Sequence, residues 1–340
     1  MHADRYSRQV LFAGIGPEGQ EALRASRALI LGCGALGSAQ VEALARAGVG
    51  TLRIVDRDFV EVSNLQRQTM FTEQDARERL PKAIAASRHV GEINSEIITE
   101  PEILDVNQSN VERLLQDCQV VLDGTDNFAT RYLINEACVK HELDWIYGAA
   151  VGSYGVTMTI RPFKTPCLRC VFAEAPPAAS APTCDTVGVL MPIVSTIAAV
   201  QVVEALKLLT GRLADLHGSL MQFDVWRNDW RRLNPGVPLP QCPTCGQRNF
   251  AALESQVNES TAVLCGRNAV QVSPMAHTQV DFACLAERLR AIGEVNFNEY
   301  LLRFRTAGYE LTVFRDARSI IRGTEEIPVA RSLYAKYIGN

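Results

Sequence analysis

The chain has 340 residues, 47% hydrophobic and 21% charged, and its 34 Lys and Arg against 38 Asp and Glu give a net charge of −4. That length suits about two domains. The mildly acidic balance offers no basic field for nucleic acid, and no apolar run reaches the roughly 18 residues of a membrane span.

The first residues, Met1 to Arg8, contain no hydrophobic signal core, so a soluble, cytoplasmic protein is expected. A helical pattern over Pro17–Ala25 leads into Ala28-Leu29-Ile30-Leu31, an apolar run that is short, bounded and aliphatic like a buried parallel strand. Gly32-Cys33-Gly34-Ala35-Leu36-Gly37 follows, then a helix to about Ala47 and a strand Thr51–Val55 ending at Asp56. This is one βαβ unit. The alternation continues with helices near Lys82–Ile93, Val111–Gln116 and Ala129–His141, and strands near Glu96–Thr99, Gln119–Asp123 and Asp144–Gly148. A doubly wound, Rossmann-like α/β sheet is the expectation, with ligands outside the carboxyl ends of its strands.

Val156–Ile160 reads as a further strand, Phe172–Thr183 as a Pro- and Ala-rich loop, and Met191–Leu209 as a buried core helix whose apolar run is broken by Ser195, Gln201, Glu204 and Lys207. The nucleotide domain is expected over 1–250 and a linker over 251–261. A small α+β module of unreadable role follows over 262–340. Its strands are placed at Ala262–Leu264, Val270–Val272, Glu310–Phe314 and Ser319–Arg322, its helices at Phe282–Ile292 and Pro328–Tyr337.

Four of the ten cysteines form two CxxC pairs, Cys167/Cys170 and Cys242/Cys245. Two such pairs suit a tetrahedral structural zinc, although either pair alone also fits a redox dithiol. Their wide separation means that the metal would staple distant parts of one domain.

The turn Gly32-x-Gly34-x-x-Gly37 between strand and helix lets phosphates approach the backbone, and Asp56, 19 residues beyond Gly37, is placed for ribose hydroxyls. By itself this fingerprint says nucleotide, with NAD as the default. The polar residues beyond Asp56 suit a triphosphate better: Asp58, then Ser63-Asn64-Leu65-Gln66-Arg67-Gln68, then Lys82 at a helix start, where an ammonium needs an anionic partner. Thr125-Asp126-Asn127 closes the next apolar strand, Gln119–Asp123, and a carboxylate there suits magnesium.

Arg5-Tyr6-Ser7-Arg8-Gln9, the glycine turn, Asp56-Arg57-Asp58, Ser63 to Gln68, Pro81-Lys82, Thr125-Asp126-Asn127 and the two CxxC pairs together resemble the ThiF/MoeB/HesA family. These are bacterial relatives of the ubiquitin-activating enzymes, and the resemblance covers roughly residues 4–249. It implies ATP- and magnesium-dependent adenylation of the C-terminal carboxylate of a small β-grasp sulfur carrier ending in Gly-Gly, for thiamin thiazole, molybdopterin or tRNA thiolation. Under it, Asp56 binds the ribose, Asn64, Arg67 and Lys82 hold the phosphates, Asp126 ligates magnesium, and Arg8 reaches into the neighbouring site of a homodimer. Gln68, Asp58, Thr125 and Asn127 belong to the same nucleotide set, and Cys167, Cys170, Cys242 and Cys245 bind zinc.

Cys184 matches the position where some family members link covalently to the carrier, with a passenger thiol as the other reading, and a sulfurtransferase is a candidate partner. Cys33 reads as a packing residue. Cys265 and Cys284 show no rhodanese-like loop, so no sulfurtransferase activity is assigned to the C-terminal module. The alternatives are an NAD-dependent oxidoreductase, a non-catalytic scaffold, and a family member that activates a peptide or ubiquitin-like modifier.

Overall fold

The computed structural model describes residues 5–174, 184–255, 260–264, 268–274, 279–306 and 308–339. The chain divides into two units, Met1–Ser255 and Gln256–Asn340.

In the first unit eight strands form one sheet: β1 (Arg27–Leu31), β2 (Thr51–Val55), β3 (Ile98–Glu102), β4 (Val120–Asp123), β5 (Trp145–Val151), β6 (Tyr154–Ile160), β7 (Leu220–Asp224) and β8 (Asp229–Leu233). Their order is β3-β2-β1-β4-β5-β6-β7-β8. The first five are parallel, as the βαβ alternation predicts, and β5 to β8 continue antiparallel. β3 ends later than the pattern suggested, running through Pro101, which an edge strand tolerates and a central one does not.

Side-chain alternation along β5 separates the two faces. Trp145 and Tyr147 join a core with Tyr132, Ile134 and Cys138 of the helix Phe128–Lys140. Gly148 faces the other way: a Cβ there would lie 2.4 Å from the Gln201 amide, so glycine lets the helix Met191–Leu209 approach the sheet. On that side the helix Ala35–Ala47 and the helix Met191–Leu209 pack through Leu36, Ile193, Val194 and Ile197.

Met191–Leu209 is long and apolar enough to cross a membrane by length and composition, but its polar residues fasten it to the sheet. Gln201, fully buried, donates to the carbonyls of Asp123 and Ile146 at 3.0 Å and accepts from Gln40 at 2.6 Å. Glu204 accepts from Thr159 at 2.8 Å. It is a core helix.

The second unit is a six-stranded antiparallel sheet: β9 (Ser260–Leu264), β10 (Ala269–Ser273), β11 (Glu294–Phe297), β12 (Leu301–Thr306), β13 (Tyr309–Phe314) and β14 (Ser319–Arg322), in the order β11-β12-β13-β14-β10-β9. The helices Phe282–Arg290 and Ile327–Tyr337 bury Phe282, Leu289 and Tyr337 against Val270, Phe304, Val313 and Ile321. Asp281 caps the first of these helices, accepting from the Ala283 N–H at 2.9 Å. The stretch read as a linker begins with a short helix, Ala251–Glu254, which belongs to the first unit.

Candidate functional site

β1 sits between β2 and β4 at the point where the chain's strand order reverses, the place where ligands of doubly wound sheets bind, in a crevice outside the carboxyl ends of the strands. Glycine sets that geometry. Gly32 has φ +86°, and a Cβ on Gly37 or Gly124 would lie 1.8 or 2.2 Å from the Gly32 carbonyl oxygen. The phosphate-type turn and the loop after β4 are thus in backbone contact. Gly34 stands at the start of the helix Ala35–Ala47, and a Cβ on it would meet only the Gln68 amide nitrogen, at 3.9 Å.

Asp56, at the end of β2, ties the two strands' ends together. Its carboxylate accepts the Cys33 N–H at 2.6 Å and the Asp58 N–H at 2.7 Å. Burial pushes the Asp56 carboxyl up, opposed by nearby Lys82. Lys82 opens the helix Lys82–Ile93 as expected and is only 4% exposed, with its ammonium 3.5 Å from Asp58. The anion that this position requires is therefore a residue of the chain itself.

Asn64 and Gln68 are both buried in the same segment. The Asn64 side chain accepts from the Glu61 N–H at 3.2 Å, while Gln68 Oε1 has no hydrogen-bond partner among the described residues. The Gln68 atom beside the open Gly34 is its amide nitrogen, a donor that suits an anion. Arg67 is half-buried and donates to the Ser63 carbonyl at 3.0 Å.

Beyond β4, Asn127 caps the helix Phe128–Lys140 by accepting the Thr130 N–H at 2.9 Å, and Asp126 is exposed. Asp123 receives the Thr125 N–H at 2.8 Å and the Thr125 hydroxyl at 2.7 Å. Arg57 joins the two sides. It pairs with Asp105 at 3.1 Å; burial works against its charge, but Asp105, Asp58, Asp126 and Asp56 raise its pKa overall. Among the described residues these carboxylates do not converge into a metal-ligand cluster; they supply negative charge around the Arg57 guanidinium.

The four paired cysteines converge as the spacing predicted. Their sulfurs all lie within 4.8 Å of one another, with separations of 3.8 Å for Cys167–Cys170, 3.6 Å for Cys167–Cys242 and 3.4 Å for Cys170–Cys245. Zinc–sulfur bonds of about 2.3 Å in a tetrahedron require sulfur separations of about 3.8 Å. The donor set fits zinc, and with all four thiolates engaged no position stays open for catalysis.

The ThiF family profile matches residues 6–244. The chain belongs to the ThiF family. It is 45% identical over 337 residues to the sulfur carrier protein ThiS adenylyltransferase of Bacillus subtilis (strain 168), covering 98% of this chain and 99% of the relative. It is 38% identical to the SAMP-activating enzyme E1 of Haloferax volcanii, covering 74% of this chain and 92% of that one. The fold matches the crystal structure of E. coli MccB with ATP at a TM-score of 0.63 and 22% identity, over 72% of this chain and 75% of that one. The Bacillus match runs through the second unit, so that module is shared with a full-length ThiF-family relative.

Among the described residues of this ThiF-family chain, Arg8 is exposed on the short helix Ser7–Val10 and joins none of the crevice contacts. Cys184 begins the helix Cys184–Val187, and its side chain lies outside the described residues, as do the loop 175–183 and Cys265. Cys33 is fully buried, and burial raises its thiol pKa, which suits a packing residue. Sequence reasoning missed Arg57 and Arg131. Arg131 is buried, with Nη2 donating to the carbonyls of Thr125 at 2.7 Å and Gly148 at 3.1 Å. Its signal was available: it lies one turn beyond Asn127, on a helix that starts at a strand's carboxyl end.

Proposed function

We propose that this ATP-using adenylyltransferase activates a ThiS-type sulfur carrier, a small β-grasp protein ending in Gly-Gly. The name and near-complete coverage of the Bacillus relative favour ThiS over a MoaD-type carrier. The observation that carries the nucleotide reading is the buried Lys82 ammonium beside Asp58 and Asp56 at the mouth of the glycine turn. Adenylyl transfer by the relatives replaces the oxidoreductase alternative.

A terminal carboxylate of the carrier forms a bond to the α-phosphorus of ATP; the bond from that phosphorus to the bridging oxygen breaks, and pyrophosphate leaves. The carboxylate is already ionised near neutral pH, so the site needs no strong base. It needs position and charge. Asp56 would hold the ribose hydroxyls, and Asn64, Arg67, Gln68 and Lys82 the phosphates. Lys82 would exchange part of its contact with Asp58 for phosphate oxygens. Asp126 would hold magnesium, whose charge offsets that of the leaving pyrophosphate, while Thr125 and Asn127 shape its loop.

The four cysteines would hold a structural zinc. Arg8 would complete the neighbouring site in a homodimer, a reading supported by Leu11 and Phe12, 75% and 66% exposed shortly after it. Cys184 is the proposed acceptor of the activated acyl group: its thiolate would form a thioester as the acyl–phosphate bond breaks and AMP leaves, with sulfur supplied by a separate sulfurtransferase. The test is ATP–pyrophosphate exchange with and without a ThiS-type carrier. Carrier-dependent exchange supports the assignment; exchange only with a MoaD-type carrier moves the enzyme to that class, and none with either rejects the carrier reading.

A further inference from the structure

The helix Phe128–Lys140 turns one face, Tyr132, Asn135 and Glu136, toward the cysteine cluster. Asn135 is fully buried. Its Oδ1 accepts the Leu168 N–H at 2.8 Å, which fixes the first CxxC turn and also the orientation of the amide. The other end of that amide, Nδ2, is buried with no hydrogen-bond partner among the described residues, on an amide pinned to the residue that follows Cys167. Glu136, next in sequence, secures the other half of the cluster. Its Oε2 accepts the N–H groups of Ala252 at 2.8 Å and Leu253 at 3.2 Å, just beyond the second CxxC pair. Its Oε1 lies 3.7 Å from Arg169, inside the first pair.

Four thiolates around a divalent zinc leave the centre doubly negative. In a buried site that excess charge is stabilised by N–H donors around the sulfurs. Cys167 is the most deeply buried of the four, 1% exposed, and so has the least help from water. The one buried amide donor left over on the facing helix, Asn135 Nδ2, sits on an amide held to the N–H of Leu168, the next residue.

We propose that Asn135 is a positioning residue of the metal centre: Oδ1 anchors the Cys167–Cys170 turn, and Nδ2 donates to the Cys167 thiolate once metal is bound. This rests on zinc occupying the four cysteines. Asn135→Asp keeps an acceptor for the Leu168 N–H and removes the donor but adds a negative charge, whereas Asn135→Leu removes both roles without adding charge, so the effect of the lost donor is what the two variants share.

The full-length chain, zinc-loaded, is mixed with a chromophoric chelator and zinc release is timed; cobalt-loaded samples give the thiolate-to-cobalt absorption band. Asn135→Asp and Asn135→Leu both release zinc about 10- to 100-fold faster than the unaltered chain and displace the cobalt band. Glu136→Gln, which touches no thiolate, leaves the band in place. Unaltered release and an unaltered band in either Asn135 variant overturn the proposal, as does an equal band shift in Glu136→Gln. An unaltered chain that holds no zinc overturns the metal centre itself, and this role with it.

Discussion

Arg131 donates from Nε to the Asp123 carboxylate at 3.2 Å, and the two form a buried ion pair at the carboxyl end of β4. Asp123 is inaccessible to solvent, and burial pushes its carboxyl up while Arg131 and the Thr125 donors oppose the shift. Because Arg131 also binds the carbonyls of Thr125 and Gly148, this pair fixes the loop that carries Asp126 to the edges of β4 and β5. Arg131→Met leaves a buried carboxylate uncompensated and is expected to cost about 3–5 kcal/mol in urea unfolding. Arg131→Met with Asp123→Asn costs less than Arg131→Met alone, because the stranded charge is gone. A double variant no more stable than the single one would show that the ion pair is not what holds the loop.

Lys82→Ala tests the charge at the phosphate site. It also strips the opposing cation from Asp58 and from the buried Asp56, so some loss in urea unfolding is expected beside the loss of activity. Carrier-dependent pyrophosphate exchange is expected to fall about 10²–10³-fold, the loss typical of removing one preorganised charge contact from a transition state. Activity within a few-fold of the unaltered chain would take Lys82 out of the phosphate site.

The strand, glycine turn, helix and strand up to Asp56 were legible because a buried parallel strand has few alternatives at that length and Gly-x-Gly-x-x-Gly must follow it in that context. The paired cysteines were legible from spacing. β8 was not: Asp229-Trp-Arg-Arg-Leu is an edge strand with exposed charges and without aliphatic alternation. β12, Leu301-Leu-Arg-Phe-Arg-Thr, was missed for a related reason, since its arginines point away from the core and pair with Glu310. Arg57 looks like an ordinary charge in one dimension; only the topology brings its carboxylate partners to it.

Two glycines of the turn make separable predictions. Gly37→Ala forces a Cβ to within 1.8 Å of the Gly32 carbonyl, so the turn must open, with an expected loss of about 1–3 kcal/mol together with nucleotide binding. Gly34→Ala meets only the Gln68 amide and costs less stability, yet it fills space over which phosphates would pass. Urea unfolding and ATP titration of both variants check this. Tight ATP binding by Gly34→Ala would place the phosphates elsewhere.

His89 clasps two carboxylates, Asp75 at 2.8 Å and Glu92 at 3.2 Å. Burial lowers the His89 pKa, but the two carboxylates outweigh it and the net shift is upward; for Asp75, burial raises the pKa and the His89 and Thr72 hydrogen bonds bring it below the ordinary value. A raised histidine contributes stability below its unfolded pKa of about 6.5 and loses it as pH rises through the folded value. A lowered aspartate contributes above about 3.9 and loses it as pH falls through its folded value. The pair therefore stabilises most between those limits. His89→Gln should lower the unfolding midpoint more at pH 5.5 than at pH 8.5; an equal loss at both would mean that the proton on His89 adds nothing.

The homodimer reading makes the sharpest demand, because it assigns Arg8 and Lys82 of one active site to different chains. Arg8→Ala and Lys82→Ala homodimers should each lack exchange activity. Mixed and allowed to exchange subunits, they form heterodimers in which one site combines an intact Arg8 with an intact Lys82, while the other has lost both. Random exchange makes half of the dimers mixed, so about a quarter of the unaltered site activity should return, and dilution below the dimer dissociation constant should abolish it. If Arg8 acts on its own chain, every site in the mixture lacks one of the two residues and no activity returns. Exchange of subunits, followed by mass measurement of differently tagged chains, distinguishes that outcome from a failure to mix.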